Sequence, residues 1–147
     1  MSSPVPFRDS SSAGSRLLRW GNLTTLSLEI VMAADLTTVR HAIDLHLAGS
    51  DLDIETRRDV VLCASEAVAN ALLHSGSDLA RPVAVEVRFG PTIVVSVTDS
   101  GRWKAETPGR VGRGLGIINA LATHLTIDTT DDGTTVRFDI DPNRGNR

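Results

Sequence analysis

Between Asp59 and His74 the chain carries no glycine or proline, and Val60, Ala64, Ala67, Val68, Ala71 and Leu72 recur at the spacing of one helix face. This predicts a long helix from about Ile54 to His74, closed by Ser75-Gly76-Ser77. Upstream, Leu26, Leu28 and Ile30 alternate with polar neighbours and predict a strand within Leu23 to Met32. Asp35 is placed to N-cap a helix with Leu36, Val39, Ile43 and Leu47 on one side, ended by Gly49. Downstream, Val83 to Phe89 and Ile93 to Thr98 are β-branched runs joined by Gly90-Pro91-Thr92, the pattern of an antiparallel hairpin. Asp99 to Arg113 lacks apolar periodicity and holds Gly101, Pro108, Gly109 and Gly112, so it reads as a long loop. A helix follows from Gly114 to about His124, with Leu115, Ile118, Leu121 and Ala122 inward. Leu125 to Thr130, the turn Asp131-Asp132-Gly133 and Thr134 to Ile140 form a second hairpin. This order of elements predicts an α+β two-layer sandwich: a mainly antiparallel mixed sheet with helices on one face. The domain is expected over residues 20–141, behind a disordered Ser- and Pro-rich leader of residues 1–15 and ahead of a similar tail of residues 142–147.

Composition sharpens this picture in a few places. A chain of 147 residues suits one domain with a sizeable core. With three Phe, two Trp and no Tyr, that core must be aliphatic. The single cysteine, Cys63, cannot form an internal disulfide and points to a reducing cytoplasm. No apolar run approaches the roughly 18 residues of a membrane span, so no membrane partner is expected. The net charge of −3 argues against a general nucleic-acid binder. Lys104 is the only lysine, which matters for the chemistry below.

The long helix carries one polar stripe. Glu66, Asn70 and His74 stand four apart and fall within an arc of about 80° on an otherwise apolar helix. Polar groups beside a core are costly unless paired. Three further segments join it. Thr98-Asp99-Ser100-Gly101 puts a carboxylate at a strand end, where it can accept a hydrogen bond from an exocyclic amine or serve simply as a polar strand cap. Gly109-Arg110-Val111-Gly112-Arg113-Gly114-Leu115-Gly116 runs into a helix, and helix N-termini with free N–H groups and nearby guanidinium charge suit phosphate; a plain flexible loop would have the same composition. Asp132-Gly133-Thr134-Thr135 is a tight turn that could place a threonine hydroxyl beside Asp99. Several nucleotide and metal sites are excluded. Lys104 stands in no Walker A context, and no His-Arg-Asp loop exists. A dinucleotide fingerprint would need glycine where Ile117 stands. His41, His46, Cys63 and His124 lack paired-ligand spacing for zinc.

Taken together, the four segments resemble those of the GHKL (Bergerat-fold) ATPases, and within them the bacterial anti-sigma factor/serine-protein kinase family, over about Leu23 to Ile140. Glu66-x-x-x-Asn70-x-x-x-His74 resembles the N box, Asp99-x-Gly101 the first glycine box, Gly112-x-Gly114-Leu115-Gly116 the second, and Gly133-Thr134-Thr135 the final nucleotide-contact turn. The resemblance implies a Mg²⁺-ATP site in which Asn70 binds the metal and Asp99 recognises the adenine amine. Arg110, Gly112, Arg113, Gly114, Leu115 and Gly116 would receive the phosphates, with His74, Gly101 and Thr134 completing the nucleotide set. Glu66 would be the general base toward a Ser or Thr hydroxyl, and the loop before the second glycine box would be an ATP lid. The usual second glycine of the first box is Trp103 here. By the same resemblance the protein substrate is a STAS-domain anti-sigma-factor antagonist, a sigma factor is held in alternation with it, Arg40 contacts a partner, and a homodimer is compatible. A rival expectation is an ATP-binding regulatory module that sequesters a partner without significant kinase activity.

Overall fold

A computed structural model of the chain describes residues 7–8, 18–21, 25–30, 35–74, 82–100 and 113–143. The elements in chain order are β1 (Phe7–Arg8), β2 (Leu18–Gly21), β3 (Thr25–Ile30), α1 (Leu36–Ala48), α2 (Ile54–His74), β4 (Val83–Phe89), β5 (Ile93–Asp99), α3 (Arg113–Leu121), β6 (His124–Thr130) and β7 (Gly133–Ile140). The strands form one seven-stranded sheet in the order β1-β2-β3-β4-β5-β7-β6. The architecture is the α+β sandwich that the pattern predicts, and every described strand pair is antiparallel. No parallel pair, which a mixed sheet would contain, occurs among the described strands. β1 lies inside the stretch whose composition suggests a disordered leader. It is held by backbone pairing with β2, Phe7 opposite Arg19 and Arg8 opposite Leu18, which composition does not report.

The alternation within each strand sorts side chains between the two faces of the sheet. The register then aligns the inward residues into rows. One row joins Leu26, Val87, Val95 and Phe138; the next joins Leu28, Val85, Val97 and Val136. All eight are buried, and Phe138 is among the largest fully buried side chains. Removing such a side chain from water contributes about 1.5–3 kcal/mol. The opposite face carries Ser27, Glu29, Glu86, Arg88, Ser96 and Thr98, half-buried or exposed.

α1 and α2 pack on the aliphatic rows, and α3 packs against α2 and β6. α1 buries Val39, Ala42, Ile43 and Leu47. α2 buries Val60, Cys63, Ala64, Ala67, Val68 and Ala71, and it packs against α1, α3, β4, β5 and β7. Its small buried side chains allow close approach to the sheet. α3 contributes Ile118, with Leu115 and Leu121 partly buried beside it. Asp53 caps α2: its Oδ1 accepts the Thr56 N–H at 2.7 Å, satisfying one of the unpaired donors of the first turn. Asp35 does occupy the N-cap position of α1 but makes no side-chain capping bond there. α3 also ends sooner than its apolar spacing suggests. Asp139 draws the chain out of the helix, its carbonyl accepting the Thr123 N–H at 2.8 Å and its Oδ1 the His124 N–H at 2.9 Å, so His124 opens β6 instead of closing the helix.

Candidate functional site

The inner face of the sheet changes character at one end. Beyond the two aliphatic rows, Asp99 stands directly opposite Thr134, and Thr134 opposite Thr129. Asp99 and Thr134 are both buried. The same alternation that points Ile93, Val95 and Val97 inward therefore points a carboxylate inward at the next step of β5. The Thr129 and Thr134 hydroxyls lie 3.3 Å apart and form a hydrogen bond. A carboxylate and hydroxyls at the end of an aliphatic wall form a surface that can accept hydrogen bonds from a ligand whose body is flat and apolar.

Gly133 makes this pairing possible. Its φ is +146°, and a Cβ built on it would lie 1.9 Å from the Asp99 carbonyl oxygen and 2.9 Å from the carbonyl carbon. Only glycine permits both that backbone conformation and that approach. It closes the β6–β7 hairpin opposite Thr130, across the Asp131-Asp132 turn.

α2 lies over β5 and β7, the strands that carry this polar end. On it Glu66 and Asn70 are half-buried, one turn apart, at the margin of the covered face. Asn70 Nδ2 is buried with no hydrogen-bond partner among the described residues. A buried polar atom left unpaired costs about 1–3 kcal/mol, so it marks a place whose partner lies outside the described residues. The two ends of an amide have nearly the same shape, and the same position can offer Oδ1 to a hard cation. Among the described residues no three His, Cys, Asp or Glu side chains cluster as metal ligands. A single amide oxygen is compatible with Mg²⁺, which takes one or two protein oxygens and fills its octahedron with phosphate and water.

The third component is the start of α3. Arg113 and Gly114 open this helix, followed by half-buried Leu115 and exposed Gly116. A Cβ on Gly116 would meet none of the described residues within 4 Å. Packing among them therefore gives no reason for a glycine that costs a helix about 1 kcal/mol relative to alanine. Of the other residues predicted to act here, His74 is the last of α2, while Gly101, Arg110 and Gly112 lie outside the described residues, as does Trp103. Arg40 is elsewhere: it lines a cavity of about 620 Å³ between α1 and α2 that includes none of Glu66, Asn70, Asp99 or Thr134. The turn glycine Gly133 is legible in the sequence, but its close approach to Asp99 is not, and nothing in the sequence marks Thr129 as the neighbour of Thr134.

The chain belongs to the histidine kinase-like ATPase domain family, whose pattern matches residues 32–140. Among solved structures it is similar to the RsbU and RsbW domains of Rv1364c from Mycobacterium tuberculosis, at 25% identity and a TM-score of 0.62 over 78% of this chain and 32% of that one. It is also similar to the blue-light activated histidine kinase EL346 of Erythrobacter litoralis, at 26% identity and a TM-score of 0.53 over 80% of this chain and 44% of that one. The histidine kinase domain of EL346 matches at 26% identity and a TM-score of 0.50, over 78% of this chain and 63% of that one. The chain thus spans less than two thirds of each of these structures. No curated protein matches it by sequence. Among the described residues, no helix is long and apolar enough to cross a membrane.

Proposed function

We propose that the protein is a cytoplasmic, Mg²⁺-ATP-dependent serine/threonine kinase and anti-sigma factor that phosphorylates a STAS-domain antagonist and holds a sigma factor in alternation with it. The observation that carries the nucleotide reading is the buried Asn70 Nδ2, without a hydrogen-bond partner among the described residues, one turn beyond Glu66 on the helix that packs on β5 and β7. The RsbW domain among the similar structures supports the partner-switching part.

When bound, Mg²⁺-ATP supplies the phosphoryl group and the charge neutralisation that its transfer needs. The Asp99 carboxylate accepts a hydrogen bond from the adenine amine, and the Thr134 hydroxyl shares that edge. Asn70 Oδ1 would hold the metal. Gly114 to Gly116, with Arg113, present N–H groups at a helix N-terminus to phosphate oxygens. Glu66 takes the proton from a substrate Ser or Thr hydroxyl. Trp103, in place of a glycine in the first glycine box, favours a second reading: an ATP-binding module that sequesters its partner without useful transfer.

Calorimetry with Mg²⁺-ATP tests the site. Asp99→Asn and Asn70→Ala should each weaken binding about 10–100-fold, the worth of a hydrogen bond to a charged group. In the first, an amide N–H₂ can face the adenine amine and repel it. The second should also abolish the dependence on Mg²⁺. Unchanged affinity in both would reject the assignment. Gly116→Ala separates ligand from fold: it should raise thermal stability by about 0.5–1 kcal/mol, as a helical Gly→Ala change in open space does, while weakening ATP binding. A variant that gained stability and kept full affinity would remove Gly116 from the phosphate site.

A further inference from the structure

The two edges of the sheet differ. β1, at one end, is two residues long; β6, at the other, has seven residues and no strand on its outer side among the described residues. A two-residue turn, Asp131-Asp132, joins β6 to β7, so Thr130 and Gly133 form the closing hydrogen-bonded pair. Alternation then turns the N–H and C=O groups of Leu125, Ile127 and Thr129 away from β7, into the open edge. Sheet proteins usually blunt such an edge with lysine, proline, a bulge or brevity. β6 holds no lysine, arginine or proline, and its register with β7 runs unbroken from His124 to Thr130. Ile127, opposite Val136 on the helix-side face, is 42% exposed.

We infer that β6 is a docking edge that takes an extended segment of a protein partner as a further strand, one in which apolar and basic side chains alternate. Main-chain pairing with Leu125, Ile127 and Thr129 holds the segment. Its apolar side chains lie on the helix-side face beside Ile127 and half-buried Leu125, and its basic ones lie on the open face beside Asp128. Charge complementarity selects this occupant. Asp128 is exposed and forms no ion pair among the described residues, and Asp131 and Asp132 follow at the turn. The other titratable side chain of β6, His124, already pairs with Asp139. An edge of this sign repels nucleic acid and anionic lipid, and neither of these presents the alternating N–H and C=O groups that would satisfy it.

The added strand borders the polar end of the inner face, because Thr129 carries the hydroxyl that is hydrogen-bonded to Thr134. Its docking nevertheless uses only backbone groups of β6 and the side chains beside them. The inference therefore goes beyond the kinase reading and does not rest on it.

The test uses the full chain and a fluorescent peptide of about nine residues alternating Val and Lys, long enough to span a strand of this size, followed by anisotropy. One control replaces Lys by Glu; another N-methylates the alternate backbone nitrogens that face β6. The Val/Lys peptide should bind at least about tenfold more tightly than either control. On binding, amide exchange read by NMR should slow far more at Leu125, Ile127 and Thr129 than at Thr126 and Asp128, whose N–H groups face β7. Ile127→Pro removes an outward N–H and spares the ladder to β7, and it should weaken the peptide about tenfold. Asp128→Lys should weaken it several-fold and narrow its advantage over the Glu peptide. If Ile127→Pro folds poorly, the N-methylated peptide and Asp128→Lys carry the test. Equal binding of the plain and N-methylated peptides, or parental affinity in Asp128→Lys, would overturn the inference. So would a chain that binds no peptide and instead forms a dimer that Ile127→Pro dissolves, since the edge would then belong to a second copy.

Discussion

Glu66→Gln should bind Mg²⁺-ATP as the parent does and phosphorylate a STAS-domain antagonist about 10²–10⁴-fold more slowly, the usual cost of removing a general base. The substitution keeps the shape of the side chain and its hydrogen-bonding reach. It removes only the ability to take a proton at neutral pH. Glu66 is half-buried at the margin of α2, and the core residues on that helix, Ala64, Ala67, Val68 and Ala71, are untouched. The fold should therefore survive. The measurement pairs calorimetry with transfer of labelled phosphate at saturating ATP, so that binding and chemistry are read separately. Transfer at the parental rate would assign the base elsewhere. A parent that binds ATP but phosphorylates no antagonist would instead support the sequestering module.

Gly133→Ala should have the largest effect on the fold. The new Cβ would stand 1.9 Å from the Asp99 carbonyl oxygen, and backbone cannot swing aside as the tip of a flexible side chain can. The +146° φ adds strain of its own. Together these should destabilise the protein by about 3 kcal/mol, the upper range for overpacking a tight site, lowering the unfolding temperature by on the order of 10 °C. Because the displaced atom belongs to Asp99, the folded remainder should also bind ATP more weakly. Thermal unfolding with and without Mg²⁺-ATP measures both. Parental stability would mean that β7 approaches β5 less closely than 1.9 Å implies.

Much of the fold could be read locally. Strand alternation in Leu26-Ser27-Leu28 or Val83 to Val87, and the alanine-rich face of α2, repeat over enough residues to declare their period. Asp99 was visible because a charged residue ends an aliphatic run. What escaped was non-local. β7 inserts between β5 and β6, and nothing within Gly133 to Ile140 announces that neighbour. The turn Asp132-Gly133-Thr134-Thr135 offers a threonine hydroxyl to Asp99 in the sequence, but the register that sets Thr134 opposite it is fixed across many intervening residues. The close approach at Gly133 is a distance between two backbones. The end of α3 was set by Asp139, which lies two strands later in the chain.

The pairing of Asp99 with Thr134 has a consequence for how the protein is made. Since successive side chains on a strand face opposite ways, a slip of one residue between β5 and β7 would turn Thr134 toward the open face of the sheet. It would turn Val136, Phe138 and Ile140 with it, stripping the core of a whole strand's contribution. A chain in the wrong register therefore has no means of surviving as a folded but ligand-blind species. A chain in that register would expose its aliphatic side chains to proteases instead of persisting as a folded molecule that lacks the Asp99–Thr134 pair.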